Sequence, residues 1–190
     1  HQIIEIAAVK VKNRKIIDKF DSLVFTKEIN PIITELTGIS AADTVDAPEL
    51  KTVMMEFKLF LGGAIFIAHD VKFDYTYISG SMKKVGLEPI LNRSLCSLAL
   101  AERTIKSFRY ALSYLNDTLE LNPNPSHHRA MSDVMTTYGL FLLCLDNCKE
   151  NLNNVEDLIK FSKEAHRLKR PKFDPLLKNE ELIDKSGEED

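Results

Sequence analysis

From Ile3 to Val11 the chain is apolar except for Glu5 and Lys10, and Ile16 to Val24 is a second run rich in β-branched and aromatic residues. The polar Lys12-Asn13-Arg14 between them predicts a hairpin. Ile29 to Leu36 then predicts a short helix stopped by Gly38. Ala47 to Leu61 predicts a longer one, capped by Asp46 and stopped by Gly62-Gly63. Ala64 to Ala68 is short and continuously apolar, as expected of a strand buried on both faces, and Lys72 to Val85 returns to a helix ended by Gly86. Cys96 falls in another short strand. After it, helices are predicted over Leu98 to Arg103, Ala111 to Leu119, Ala130 to Cys144 and Val155 to Leu168, separated by polar or Pro-rich breaks. The pattern is that of an α/β protein with a mostly helical second half.

The chain has 190 residues, 44% of them hydrophobic and 28% charged, enough for one sizeable core and a charged surface. From Pro171 onward it is charged, poor in aromatics and ends Gly187-Glu188-Glu189-Asp190, the composition of a tail that is disordered or folds on a partner. No apolar run approaches the roughly 18 residues of a membrane span, and no leader resembles a signal peptide. A cytoplasmic protein with no membrane contact is expected. Cys96, Cys144 and Cys148 are an odd set, the last two a helical turn apart among leucines, and are expected to be buried free thiols rather than metal ligands. A formal net charge of -3 argues against coating nucleic acid by bulk electrostatics, so any such contact should be local.

Two short acidic runs carry the candidate chemistry. Ile67-Ala68-His69-Asp70-Val71-Lys72-Phe73-Asp74 leaves the apolar strand and opens a helix, while His128-Arg129-Ala130-Met131-Ser132-Asp133 sets a histidine five positions before an aspartate at another helix start. Asp74 and Asp133 both fall in a first turn, where the helix dipole favours an ionised carboxylate, and that alone is a sufficient structural account of either. Their surroundings add to it. Phe73 gives Asp74 an apolar wall, and His69 closes the strand at its C-terminal edge, where open α/β sheets bind ligands. His128 lies about a turn from Asp133, as a general base beside a bound metal should. Asn122-Pro123-Asn124-Pro125-Ser126 forces a loop ahead of His127 and His128, which places that pair on a mobile approach segment. Together the two runs read as half of a metal-dependent nuclease site.

Five blocks occur in order: Ile3 to Val9, Ile32-Ile33-Thr34-Glu35-Leu36-Thr37-Gly38-Ile39, Ala68 to Asp74, Arg109-Tyr110-Ala111-Leu112-Ser113-Tyr114-Leu115, and His128 to Asp133, the last similar to His-x-Ala-x-x-Asp. In them the chain resembles, from His1 to about Asn147, the DnaQ-like 3'-5' exonucleases of the DEDDh type. That family includes the proofreading ε subunit of bacterial DNA polymerase III. The resemblance implies an RNase H-like α/β fold with a mixed central sheet flanked by helices. It implies Asp74 and Asp133 as the third and fourth metal carboxylates and His128 as the general base. His69, Asp70, Phe73, Arg109 and Tyr110 become candidate substrate contacts, although Arg109 and Tyr110 read equally well as a solvated and a packing side chain. The family's first block, an Asp-x-Glu pair on the first strand, lies upstream of a segment like Ile3 to Val9 and has no counterpart here. The first strand and two of the four carboxylates are therefore expected to be missing. Glu5 is not a replacement, since it matches a glutamate that the family carries in addition. Asp70 stands where the family commonly has Asn, adding a negative charge near the substrate.

The complete site implies hydrolysis with two Mg²⁺ or Mn²⁺ ions roughly 3.5 to 4 Å apart, His128 taking a proton from the attacking water. The expected function is removal of 3'-terminal nucleotides from DNA in proofreading with DNA polymerase III, RNA remaining open because only a pocket that senses the 2'-OH excludes it. The chain by itself, short of two carboxylates, is expected to be inactive. The expected organisation is an exonuclease domain over 1–147, a helical extension over 148–170 and the tail over 171–190. The expected partners are a single-stranded 3' end and a replicative polymerase. The latter would be reached through the extension, where the basic stretch Lys160, Lys163, His166, Arg167, Lys169 and Arg170 precedes Phe173, Leu176 and Leu177 as apolar anchors. Two other readings compete. His69-Asp70 is a doublet of the kind used by helical metal phosphohydrolases, which place it on a helix, and a non-catalytic module of the same fold would bind a polymerase or a nucleic-acid end.

Overall fold

The computed structural model describes residues 2–126, 128–149, 152 and 154–169, with the backbone alone for 163–169. The predicted hairpin is strands β1 (Glu5–Lys12) and β2 (Lys15–Leu23), paired antiparallel. Asn13 and Arg14 take φ of 50° and 65°, the two left-handed positions of a tight turn whose twist suits a hairpin. The register slips between Lys10 and Val11, passing over Ile17, which is left 58% exposed at the bulge.

Helix α1 (Pro31–Thr37) starts at Asn30, whose side chain accepts from the Ile32 N–H, and stops at Gly38 with φ 73°. Helix α2 (Leu50–Leu61) starts later than the pattern predicts, and Asp46 does not cap it: Glu49 holds the N-cap position without a side-chain bond. Pro48 accounts for the shift. It biases Ala47 away from helical backbone, and its carbonyl takes the Phe25 N–H at 2.9 Å, tying this stretch to the end of the hairpin. A 3-10 turn over Ala41–Thr44 fills the gap.

Strand β3 (Phe66–Ala68), helix α3 (Val71–Lys84) and strand β4 (Ser94–Cys96) form a βαβ unit with β3 and β4 parallel. The prediction of a strand buried on both faces holds for Phe66 but not for Ile67, which is 37% exposed on the wall of a groove. Helices α4 (Ser97–Thr104), α5 (Leu112–Leu119), α6 (Ala130–Asn147) and α7 (Val155–Lys169) complete the chain. The antiparallel and parallel pairings of a mixed sheet are both present, carried by two separate two-stranded sheets. Between them, the continuous runs Gln2–Val11 and Ala64–His69 line one cavity of about 960 Å³. Among the described residues β1 pairs only with β2 and β3 only with β4, so the groove meets one unpaired edge of each sheet.

Two apolar clusters hold this frame. Val53, Met54, Phe57 and Leu61 of α2 pack with Ile6 of β1 and with Ile78 and Met82 of α3. Leu100, Leu115, Leu140 and Cys144 pack with Leu158, Ile159 and Phe161 of α7. Each such side chain contributes about 2 kcal/mol on burial. The Arg103 guanidinium lies 4.5 Å over the Phe161 ring, and Arg93 pairs with Glu156, so α7 is fastened to the body. Arg170, Phe173, Leu176, Leu177 and the rest of the 171–190 tail lie outside the described residues, as do the side chains of Lys163, His166, Arg167 and Lys169. Cys96 and Cys144 are buried, Cys148 is half-buried, and all three are free thiols. Burial pushes the Cys144 thiol up to about 11, which keeps it protonated and inert. Among the described residues no helix is long and apolar enough to cross a membrane.

The Pro-rich loop before α6 is placed by close contacts. A Cβ on Gly139 would stand 2.6 Å from the Leu121 carbonyl oxygen, so only glycine there lets the loop backbone lie on α6. Ser126 N–H then donates to Ser132 Oγ at 2.9 Å, and Asn122 Nδ2 donates to the Ser132 carbonyl at 3.3 Å. These bonds carry the chain to within two residues of His128.

Candidate active site

Helix α3 opens at Asp70, which adopts φ 70° and ψ 60° and leaves Asp74 in the first turn; α6 opens after Arg129 and leaves Asp133 in its first turn. Both aspartates line the groove between the sheets, with His69 and Phe73 beside them. The Asp74 carboxyl is pushed up to about 6, first by burial, then by the charge of Asp70; a backbone hydrogen bond opposes the shift, and Asp133 adds the smallest push upward. The two side-chain charges acting on it are thus both negative. Like charges acting on a largely buried carboxyl are relieved by a proton or by a cation, and hard carboxylate oxygens suit Mg²⁺ or Mn²⁺. Among the described residues no group of three or more His, Cys, Asp or Glu side chains gathers to hold a metal. Asp74 and Asp133 are two carboxylates of that kind on the groove wall.

The other candidates divide. Asp70, Arg109, Tyr110 and His128 lie outside the groove wall. His69 bridges elements: Nε2 meets the Tyr110 carbonyl at 2.6 Å and Nδ1 meets Ser97 Oγ at 3.0 Å. Since a carbonyl only accepts, Nε2 carries the hydrogen, and in the neutral ring the Ser97 hydroxyl donates to Nδ1. This joins the end of β3 to α4 and to the segment before α5. Tyr110 donates its hydroxyl to the Ile105 carbonyl at 2.7 Å, a packing arrangement, and Arg109 is exposed. Phe73 is 53% exposed and stacks on Tyr77 with ring centroids 6.0 Å apart and planes 6° from parallel. Tyr77 also lines the groove and escaped sequence reasoning. Its signal was the four-residue spacing from Phe73, which puts both rings on one helix face.

A second feature that sequence reasoning missed joins the ends of the fold. Glu5 Oε1 accepts from Arg129 Nε at 3.0 Å and from Nη2 at 2.7 Å, while Oε2 accepts from the Ala130 N–H at 2.9 Å. The Glu5 carboxylate is therefore engaged at the start of α6, in keeping with its reading as an acid additional to the metal ligands.

Residues 1–141 match the sequence model of the RNase_T family, described as exonuclease. The chain belongs to the DnaQ-like exonuclease family. Among the relatives of this member of the family is a PolC-type DNA polymerase III from Caldanaerobacter subterraneus subsp. tengcongensis, 36% identical over 151 residues that cover 78% of the chain and 11% of that protein. Another is the PolC-type DNA polymerase III of Staphylococcus aureus, 36% identical over 182 residues that cover 93% of the chain and 12% of that protein. The chain thus spans about an eighth of the relatives it matches. In structure it is similar to exonuclease X in complex with 5' overhanging duplex DNA, with a TM-score of 0.64 and 24% identity over 84% of this chain and 90% of that one. The shared fold is the RNase H-like α/β fold. The helical phosphohydrolase reading falls with it, because His69-Asp70 lies between β3 and α3 rather than on a helix.

Proposed function

We propose that this chain is the exonuclease domain of a cytoplasmic replicative polymerase of PolC type, removing 3'-terminal nucleotides from single-stranded DNA ends in proofreading. One observation carries the reading: Asp74 and Asp133 face a common groove, and the charges that act on Asp74 are negative. Divalent ions bound there would supply charge neutralisation at the scissile phosphate and at the leaving 3'-oxygen. Asp74 and Asp133 would hold those ions. His128, at the turn into α6, takes the proton of the attacking water. Phe73 and Tyr77 offer a flat apolar face for the terminal base, which suits an unpaired 3' end without reading its identity. A further strand between β1 and β3 would join the two sheets along the edges left unpaired among the described residues and bring the two further carboxylates.

A non-catalytic module of the same fold is the second reading, favoured by the absence, among the described residues, of a third metal-binding side chain beside the two aspartates. Assaying a 5'-labelled single-stranded oligonucleotide in Mg²⁺ separates the two. The exonuclease reading expects progressive 3' shortening by the natural polypeptide that carries this sequence and little by residues 1–190 alone. Binding of the oligonucleotide without shortening by the natural polypeptide establishes the module instead.

A further inference from the structure

We propose that Glu5 is a positioning residue: with Arg129 it forms a clamp that fixes the left-handed turn at His128 and the first turn of α6, and so sets where His128 and Asp133 stand. The inference rests on the exonuclease reading for its consequence in catalysis but on geometry for the clamp itself. Glu5 interrupts an apolar strand, and its side chain is 7% exposed. A carboxylate so buried is tolerated when both oxygens are bonded to a charged partner. Here the planar guanidinium spans both oxygens, with a third contact from Nε to Oε2 at 3.3 Å, and the Ala130 N–H adds a bond from the backbone. The charges of Asp21, on β2, and Asp43, on the 3-10 turn, also act on Arg129, so two further elements attract the same guanidinium.

The clamp acts on a strained neighbour. His128 has φ 58°, a conformation that costs energy in a residue with a Cβ and persists where surrounding bonds impose it. Arg129 N–H closes the turn on the Ser126 carbonyl at 3.3 Å, and Asp133 N–H donates to the Arg129 carbonyl at 3.1 Å. One residue therefore touches everything relevant: its side chain grips β1, its N–H shuts the turn at His128, and its carbonyl receives Asp133. Removing the grip frees this turn while leaving the apolar core intact. Small misplacements of reacting groups cost up to about 100-fold in rate.

The test has two arms. In the natural polypeptide, Glu5→Ala should lower kcat for Mg²⁺-dependent release of a 3' nucleotide by about 10- to 100-fold, as loss of outer-sphere support typically does, with KM little changed. Arg129→Lys, which keeps the charge but cannot span both oxygens, should show a smaller loss of the same kind, and Glu5→Gln should fall between. In the 190-residue chain, Glu5→Gln should raise the hydrogen-exchange rate of the Ala130 amide and shift the His128 Cα resonance away from its left-handed position. A kcat retained in a folded Glu5→Gln or Arg129→Lys variant overturns the positioning role. Unchanged Ala130 exchange and His128 shift overturn the clamp. If the parent polypeptide releases no nucleotide, the exonuclease reading fails, and the resonance arm still decides the clamp. Should Glu5→Ala not fold, the Gln and Lys variants carry both arms.

Discussion

Two carboxylates sit in the wall of one groove and meet opposite surroundings. Glu5 is bonded through both oxygens to the Arg129 side chain and the Ala130 N–H. Asp74 is driven up to about 6 by burial and by two neighbouring acids. The first arrangement is complete as it stands and holds α6 against β1. The second is under electrostatic tension that a cation would relieve. Burial and acidity alone thus do not mark a functional residue; what separates the two is whether the surroundings already satisfy the charge.

The sharpest way to break this contrast is to remove each acid. In the natural polypeptide, Asp74→Ala or Asp133→Ala should cut Mg²⁺-dependent turnover well beyond the ~10- to 100-fold typical of outer-sphere changes at metal sites, with the melting temperature kept. A Glu5→Ala defect as deep as theirs would erase the distinction. His128→Ala comes next, with a loss of about 10²- to 10⁴-fold at neutral pH. That loss should shrink as pH rises, because hydroxide then replaces the base. A pH-independent defect in steady-state assays would remove His128 from that role.

Stability should reveal the same contrast with smaller effects. Gly139→Ala should destabilise by about 1–3 kcal/mol in urea unfolding, because the Leu121 carbonyl blocks a Cβ there. Full stability in that variant would show that the loop carrying His128 is not seated on α6. Asp74 is expected to cost stability at neutral pH. With its folded pKa raised from 3.8 to about 6, the folded state binds the proton more tightly than the unfolded one, and that advantage, full below about pH 4, is lost as pH climbs through 6. At ~1.4 kcal/mol per unit the shift sets a ceiling near 3 kcal/mol, which solvent in the open groove reduces to about 1–2 kcal/mol. Asp74→Asn should therefore stabilise the metal-free 190-residue chain by that amount at pH 7 and flatten the decline between pH 4 and 6. An unchanged slope would place the tension elsewhere.

Local signals made much of this legible. The Asn13-Arg14 turn, the Gly38 and Gly86 stops and the first-turn positions of Asp74 and Asp133 depend on residues close in sequence, and the structure places them as the pattern predicts. The misplaced start of α2 reflects a competing local rule, since Pro48 outweighs Asp46. What escaped is tertiary. The exposure of Ile67 depends on a groove between two sheets, and the Glu5–Arg129 clamp joins residues 124 positions apart. Both ring nitrogens of His69 are engaged by Ser97 and Tyr110, which no spacing in the chain announces.

The central claim is that Asp74 and Asp133 hold a divalent ion together, and calorimetric titration of the natural polypeptide with Mn²⁺ tests it most directly. The account predicts that Asp74→Asn and Asp133→Asn each weaken the same binding event at least about tenfold, while Glu5→Gln leaves it nearly unchanged. Mn²⁺ binding that survives both aspartate substitutions would contradict it.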